Sequence, residues 1–142
     1  MTTPTTMLYD ADCGLCTAAA AWVMRRSRTG ELRAIPLQTV ATPAEDALAQ
    51  LLAGRDLAQT LHVVTPRRTV LAGSRAVLAA ARTVPRWGTA AKLADNRAGH
   101  VILEPAYRWV ARHRRGIGRA LGIRQTCAVP ETGPVAPQRL LR

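Results

Sequence analysis

The spacing of apolar positions changes several times along the chain, and each change marks an element. Met1 to Thr6 is polar and reads as a loose leader. Met7-Leu8-Tyr9 is a short continuous apolar run, read as a strand. Leu15, Ala18, Ala19, Trp22, Val23 and Arg26 then recur at helical spacing, which predicts a helix through Arg26 with Trp22 and Val23 toward the core. Asp12 is a fitting N-cap for it, and Gly30 closes the segment. Leu32 to Leu37 is a second strand ending near Pro36. Thr42-Pro43-Ala44-Glu45 has the form of a capping box, with Thr42 as N-cap and Pro43 at the first helical position. The helix it opens runs through Leu48, Leu51 and Leu52 to near Gly54. Thr60 to Thr65 and Thr69 to Ala72 read as two strands joined by Pro66-Arg67-Arg68 into a hairpin. Gly73-Ser74 opens a helix from Arg75 to near Arg82, with Val77, Leu78 and Ala81 inward. Helical patterns continue in Trp87 to Ala94 and Ala106 to Leu121. Beyond Arg124, Pro130, Pro134 and Pro137 break any period, so Arg124 to Arg142 reads as an extended tail.

The order β-α-β-α-β-β-α, followed by further helices, places the chain in the α/β class. One domain spans residues 7–123, with a leader over 1–6 and a tail over 124–142 that carries Cys127. A length of 142 residues suits a single domain with a real core. Hydrophobic residues make up 48% of the chain, which argues against disorder, but aromatics are only 4% and Phe is absent. Leu, Val, Ile and Ala must therefore fill the interior, and alanine buries little area per residue.

The net charge is +11, from 20 basic against 9 acidic residues, and Lys92 is the only lysine. Such a balance raises two readings: an acidic partner, or a codon bias toward Arg and Ala. The arginines are scattered, and zinc-finger spacing, Gly-rich RNA-binding signatures and stacking aromatics are missing, so nucleic acid is not expected. Residues 106–124 hold Arg108, Arg112, Arg114, Arg115, Arg119 and Arg124 around Trp109, Val110, Ile117 and Leu121. This is a basic amphipathic pattern with two readings. One is a solvated Arg face over a core-facing Trp109 stripe, weakened by Gly116 and Gly118. The other is peripheral contact with an anionic membrane or acidic partner.

The chemistry concentrates in Asp12-Cys13-Gly14-Leu15-Cys16. The pair stands where the first strand hands over to the first helix. A thiol at a helix N-terminus meets unpaired N–H groups and the positive end of the dipole, which stabilise a thiolate. Cys13 is thus the candidate nucleophile, expected at the first helical position, partly exposed, with its pKa lowered toward neutrality. Cys16, one turn on and expected to be more buried, is the candidate resolving thiol. The proposal requires a reachable Cys13 sulfur. Asp10 and Asp12 bring negative charge that opposes the dipole. Asp12 offsets part of this by capping, and Asp10 is either a proton acceptor for Cys16 or a turn carboxylate bonded to backbone N–H groups.

Three cysteines are too few for a secreted disulfide framework. With no signal-peptide pattern and no membrane-length apolar run, a cytoplasmic protein is expected. In that compartment Cys-x-x-Cys reads as redox chemistry or as half of a zinc site. For zinc, Cys127 with His62, His100 or His113 would have to complete the ligand set. The histidines do not cluster: His62 alternates on a strand, His100 follows Gly99 in a loop, and His113 lies among arginines. Each reads as structural or solvated. Cys127 reads as an anchor for the tail, a third redox thiol or a ligand.

The run Leu8-Tyr9-Asp10-Ala11-Asp12-Cys13-Gly14-Leu15-Cys16 resembles the opening of the DCC family of thiol-disulfide oxidoreductases. The resemblance continues in Pro36-Leu37-Gln38, in Gly73-Ser74-Arg75-Ala76, in Tyr107-Arg108-Trp109-Val110-Ala111-Arg112-His113-Arg114 and in Cys127-Ala128-Val129-Pro130. It implies a thioredoxin-like fold with a four-stranded mixed sheet in the order 2-1-3-4, flanked by helices, with extra C-terminal helices. It also implies dithiol–disulfide exchange through Cys13 and Cys16 with a protein or small-thiol substrate. No bound cofactor is implied, and an external reductant or oxidant recycles the pair. The alternative is a non-enzymatic zinc- or partner-binding module that uses the cysteines as ligands. Two departures stand out. Ala11 occupies a position where Gly is common, and Gln59-Thr60-Leu61 lacks the proline that thioredoxin-like enzymes place before the third strand.

Overall fold

A computed structural model describes residues 3–123, so Cys127 and the tail expected over 124–142 lie outside the described residues. Strand β1 (Thr5–Tyr9) leads into helix α1 (Gly14–Arg26), strand β2 (Leu32–Pro36) and a 3-10 turn (Leu37–Thr39). A second 3-10 turn (Pro43–Glu45) precedes α2 (Asp46–Leu52). The hairpin β3 (His62–Val64) and β4 (Val70–Ala72) follows, and then α3 (Ser74–Ala81), α4 (Gly88–Ala94) and α5 (Arg97–Ala120). The sheet order is β2-β1-β3-β4. β1 pairs parallel with β2 and antiparallel with β3, and β3 pairs antiparallel with β4. This is the thioredoxin-like arrangement that the resemblance implies. No helix among the described residues is long and apolar enough to cross a membrane.

Strand alternation gives the sheet two dry faces. Met7 and Tyr9 join Val63, Ala20, Ala76 and Ala80 on the face covered by α1 and α3. Leu8 and Val64 join Ile35, Val40 and Leu52 on the face covered by α2. The first face is alanine-rich, so its helices sit close to the sheet but fill little space beyond it.

Several expectations are corrected. The strand begins at Thr5 rather than Met7, because Thr5 and Thr6 pair with Leu32 and Arg33 and the Thr5 N–H donates to the Glu31 carbonyl. Thr42 makes no capping box: Glu45 pairs instead with Arg33, Thr42 Oγ1 turns back to the Thr39 carbonyl, and the first turn is 3-10. Val77 is 42% exposed, while Ala76, Leu78 and Ala80 face the sheet. α5 starts nine residues before Ala106. Asn96 is its N-cap and accepts from Gly99 N–H at 2.9 Å, which puts His100 in the first turn rather than a loop. Gly99 suits that turn: a Cβ there would lie 2.0 Å from the Ala94 carbonyl oxygen. Trp109 is 59% exposed and lies over His113 instead of facing the core. Trp22 also sits at the margin, edge-on to Trp87 at 6.3 Å, with the Arg26 guanidinium over its ring at 4.4 Å.

Candidate active site

Tyr9 ends β1 and the chain turns at Asp10. The Asp10 carboxylate accepts from the Asp12 N–H at 3.0 Å, and the Asp10 carbonyl accepts from the Cys13 N–H at 3.2 Å. This is an Asx turn that delivers residue 13 to the head of α1. Cys13, not Asp12, is the N-cap: its sulfur accepts from the Cys16 N–H at 3.3 Å, and the helix proper begins at Gly14. Asp12 cannot cap because its carboxylate points out to Gln38 Nε2 at 3.1 Å. Gln38 also donates to Asp10 at 3.3 Å and accepts from the Ala11 N–H at 3.4 Å. One amide from the turn after β2 thus clamps the whole approach to the thiols. Nothing in the local sequence gave Gln38 this role; only the β1–β2 register brings it there.

The two sulfurs are free thiols 2.8 Å apart, with Cys16 donating to Cys13. A disulfide bond is about 2.05 Å, so closure asks for a movement of under about 1 Å. Burial pushes the Cys16 thiol up to about 12, reinforced by its hydrogen bond to Cys13 and the Cys13 charge. Asp10 adds to the rise and Arg114 opposes it. The Cys16 thiol therefore keeps its proton, and its S–H and backbone N–H both point at Cys13 Sγ.

Access is the reverse of expectation. Cys13 is 2% exposed and Cys16 is half-buried. The cause is α5, whose C-terminal end lies across the head of α1. Arg114, Gly118, Arg119 and Ile123 form with Cys13 and Leu15 a recess of about 10 Å³. That volume is barely enough for a water, so no substrate sulfur reaches Cys13 with α5 in place. The two helices lie close at Gly118, where a Cβ would make an ordinary van der Waals contact with Leu15 at 3.7 Å.

Two α5 residues join the site, both from the Tyr107–Arg114 segment of the resemblance, where the sequence assigned neither a role at the thiols. Arg114 lies 3.5 Å from the Asp10 carboxylate and donates to the Ala58 carbonyl at 3.0 Å. The Tyr107 hydroxyl accepts from the Leu61 N–H at 2.6 Å. That contact supplies a partner to the backbone just before β3, where the chain has no proline. Among the described residues there is no cis peptide bond.

The histidines do not come to the thiols as a ligand set. His62 Nδ1 meets the Thr60 carbonyl, His100 the Asp95 carboxylate and His113 the Trp109 carbonyl. Among the described residues no three or more His, Cys, Asp or Glu group where they could hold a metal ion.

A cavity of about 570 Å³ opens beside Cys16, between α1, α3 and α5. Its wall is built from small and apolar side chains, among them Ala19, Val23, Val77, Leu103 and Val110. Residues 7–120 match the family model described as DCC1-like thiol-disulfide oxidoreductase. No curated protein and no solved structure matches the chain.

Proposed function

The chain belongs to the DCC1-like thiol-disulfide oxidoreductase family, and on that premise we propose that it exchanges a disulfide through Cys13 and Cys16. The observation that carries the reading is the 2.8 Å approach of two free sulfurs at the head of α1. Cys13, the expected point of attack, is closed in by α5, so the requirement of a reachable Cys13 does not hold and the exchange does not depend on attack by or at that sulfur. In one direction a substrate thiolate attacks the Cys13–Cys16 disulfide and forms a mixed disulfide with one sulfur. The electron pair of the broken bond passes to the other. A second thiol then releases the oxidised substrate and leaves the protein pair reduced. The reverse sequence reduces a substrate disulfide. Two electrons move in either direction, and an external oxidant or reductant restores the starting state.

Cys13 is suited to hold negative charge in this cycle, because the Cys16 N–H and the helix N-terminus face it. Asp10 holds the turn, its oxygens being engaged by the Asp12 N–H, Gln38 and Arg114, and its charge helps keep the proton on Cys16. The chemistry favours a reducing compartment such as the cytoplasm, in which the pair rests as thiols.

Thiol counting tests the reading. Mild oxidation of the purified protein should remove two alkylatable thiols and link the Cys13 and Cys16 peptides, and dithiothreitol should restore both. Cys13→Ser and Cys16→Ser should each lower turnover of an aromatic disulfide by about 100-fold or more, since each removes a covalent step. Near-stoichiometric zinc in protein purified without chelator, with no such disulfide, would favour the ligand-module alternative and sink this one.

A further inference from the structure

We propose that the sulfur that meets substrate is Cys16, and that the substrate is a low-molecular-weight thiol with an apolar alkyl or aryl body bound in the adjoining cavity. The inference rests on the disulfide-exchange reading above and names its substrate class. Three observations lead to it. Cys13 is closed in by the end of α5, and the space over it holds no more than a water. Cys16 instead lines a cavity of about 570 Å³, within the size range of small-molecule sites. Finally, that wall is mostly carbon, and its Tyr107, Ser74 and Arg114 side chains each already hold a partner within the protein. Tyr107 is bonded to Leu61, Ser74 to Glu104, and Arg114 to Asp10 and Ala58. A ligand there finds few free polar partners and gains by burying carbon. The mouth continues the theme, with Val77, Val110, Trp22 and Trp87 all exposed at its rim. A highly charged peptide thiol would have to shed water without compensation.

The step is balanced as follows. The thiolate R–S⁻ attacks Cys16 Sγ of the oxidised pair. The new bond is R–S–S–Cys16, the Cys13–Cys16 bond breaks, and its electron pair leaves on Cys13. Departure onto Cys13 is favoured because the Cys16 N–H and the N-terminus of α1 receive that charge. A second R–S⁻ attacks the substrate sulfur of the mixed disulfide. R–S–S–R departs, and Cys16 and Cys13 take up the two protons released when the substrate thiols ionised, the one on Cys16 being held the more firmly for its raised affinity. The sum is one protein disulfide plus two thiols giving one small disulfide plus two cysteine thiols.

The experiment reduces the oxidised full chain with 2-mercaptoethanol and with butane-, hexane- and octanethiol, at matched thiolate concentrations. The second-order rate should climb with chain length, toward about fourfold for each methylene fully buried. Acid quenching early in the octanethiol reaction, followed by peptide mapping, should find the octyl group on Cys16. Val77→Glu, at the exposed mouth, should flatten the series. Val101→Ser, on the outer face of α5, should leave it unchanged. A flat series in the wild-type protein, or an octyl group on Cys13, would overturn the inference while leaving disulfide exchange intact. Failure of the pair to form a disulfide at all would overturn the exchange reading itself.

Discussion

Cys16 differs from an ordinary cysteine because of its neighbours. Its thiol is pushed up to about 12, first by burial and then by the hydrogen bond and charge of Cys13. At pH 8 its thiolate is a fraction on the order of one in ten thousand. Iodoacetamide should therefore label Cys16 in the reduced protein only slowly at pH 8. Cys13→Ser should speed that labelling, because it removes the second and third causes of the rise. Half-labelling rates that climb around pH 8.5, as for a free cysteine, would contradict the geometry. At this scale the sequence was legible in kind and misleading in detail. The residue types at the turn announce thiol chemistry. Which sulfur is covered, and what Asp12 does, depend on Gln38 and on the far end of α5, neither of which is near in sequence.

Among the elements, α3 and α5 are joined through one carboxylate. Gly73 takes φ +62, and a Cβ there would lie 3.0 Å from Glu104 Oε2. In the space so left, Glu104 accepts from the Ser74 N–H at 3.1 Å and from its hydroxyl at 2.7 Å, with Arg108 at 3.1 Å. The bonds from Ser74 hold the Glu104 carboxyl below its ordinary range. A cap of this kind, partly screened by solvent, contributes about 1 kcal/mol. Glu104→Gln should lower the melting temperature at neutral pH by a few degrees. A depressed carboxyl stabilises the fold above its unfolded pKa, and the contribution disappears as pH falls through the folded value. The melting difference between the two proteins should thus shrink in acid, and a constant difference from pH 7 to pH 2 would refute the cap. The strands and α1 could be read from period alone. α5 could not: the helix runs through Pro105, with Glu104 bonded to Ser74 and Tyr107 to Leu61 on either side of it, contacts that no local pattern announces.

For the whole molecule, burial of a single imidazole sets a limit on acid tolerance. His62 is buried on β3 opposite Leu8, and desolvation lowers its pKa. In the unfolded chain it protonates near the ordinary value of about 6.5. Stability should therefore decline as pH drops below that value toward the folded pKa, where the loss is complete. Denaturant midpoints between pH 8 and pH 5 would reveal the slope, and His62→Gln should reduce it. The α/β order follows from local pattern. The cavity does not: absent Phe and abundant Ala say only that volume is scarce, and the gap lies where the small side chains of α1 and α3 leave the space beside α5 unfilled.

Two of the chain's three tryptophans, Trp22 and Trp87, meet edge-on at the lip of that gap, and the third, Trp109, sits on the outer side of α5. The protein consequently carries its own optical gauge. Occupancy of the interior would dim or shift the emission of the first two indoles, and the remaining one would serve as an internal reference, with no dye attached.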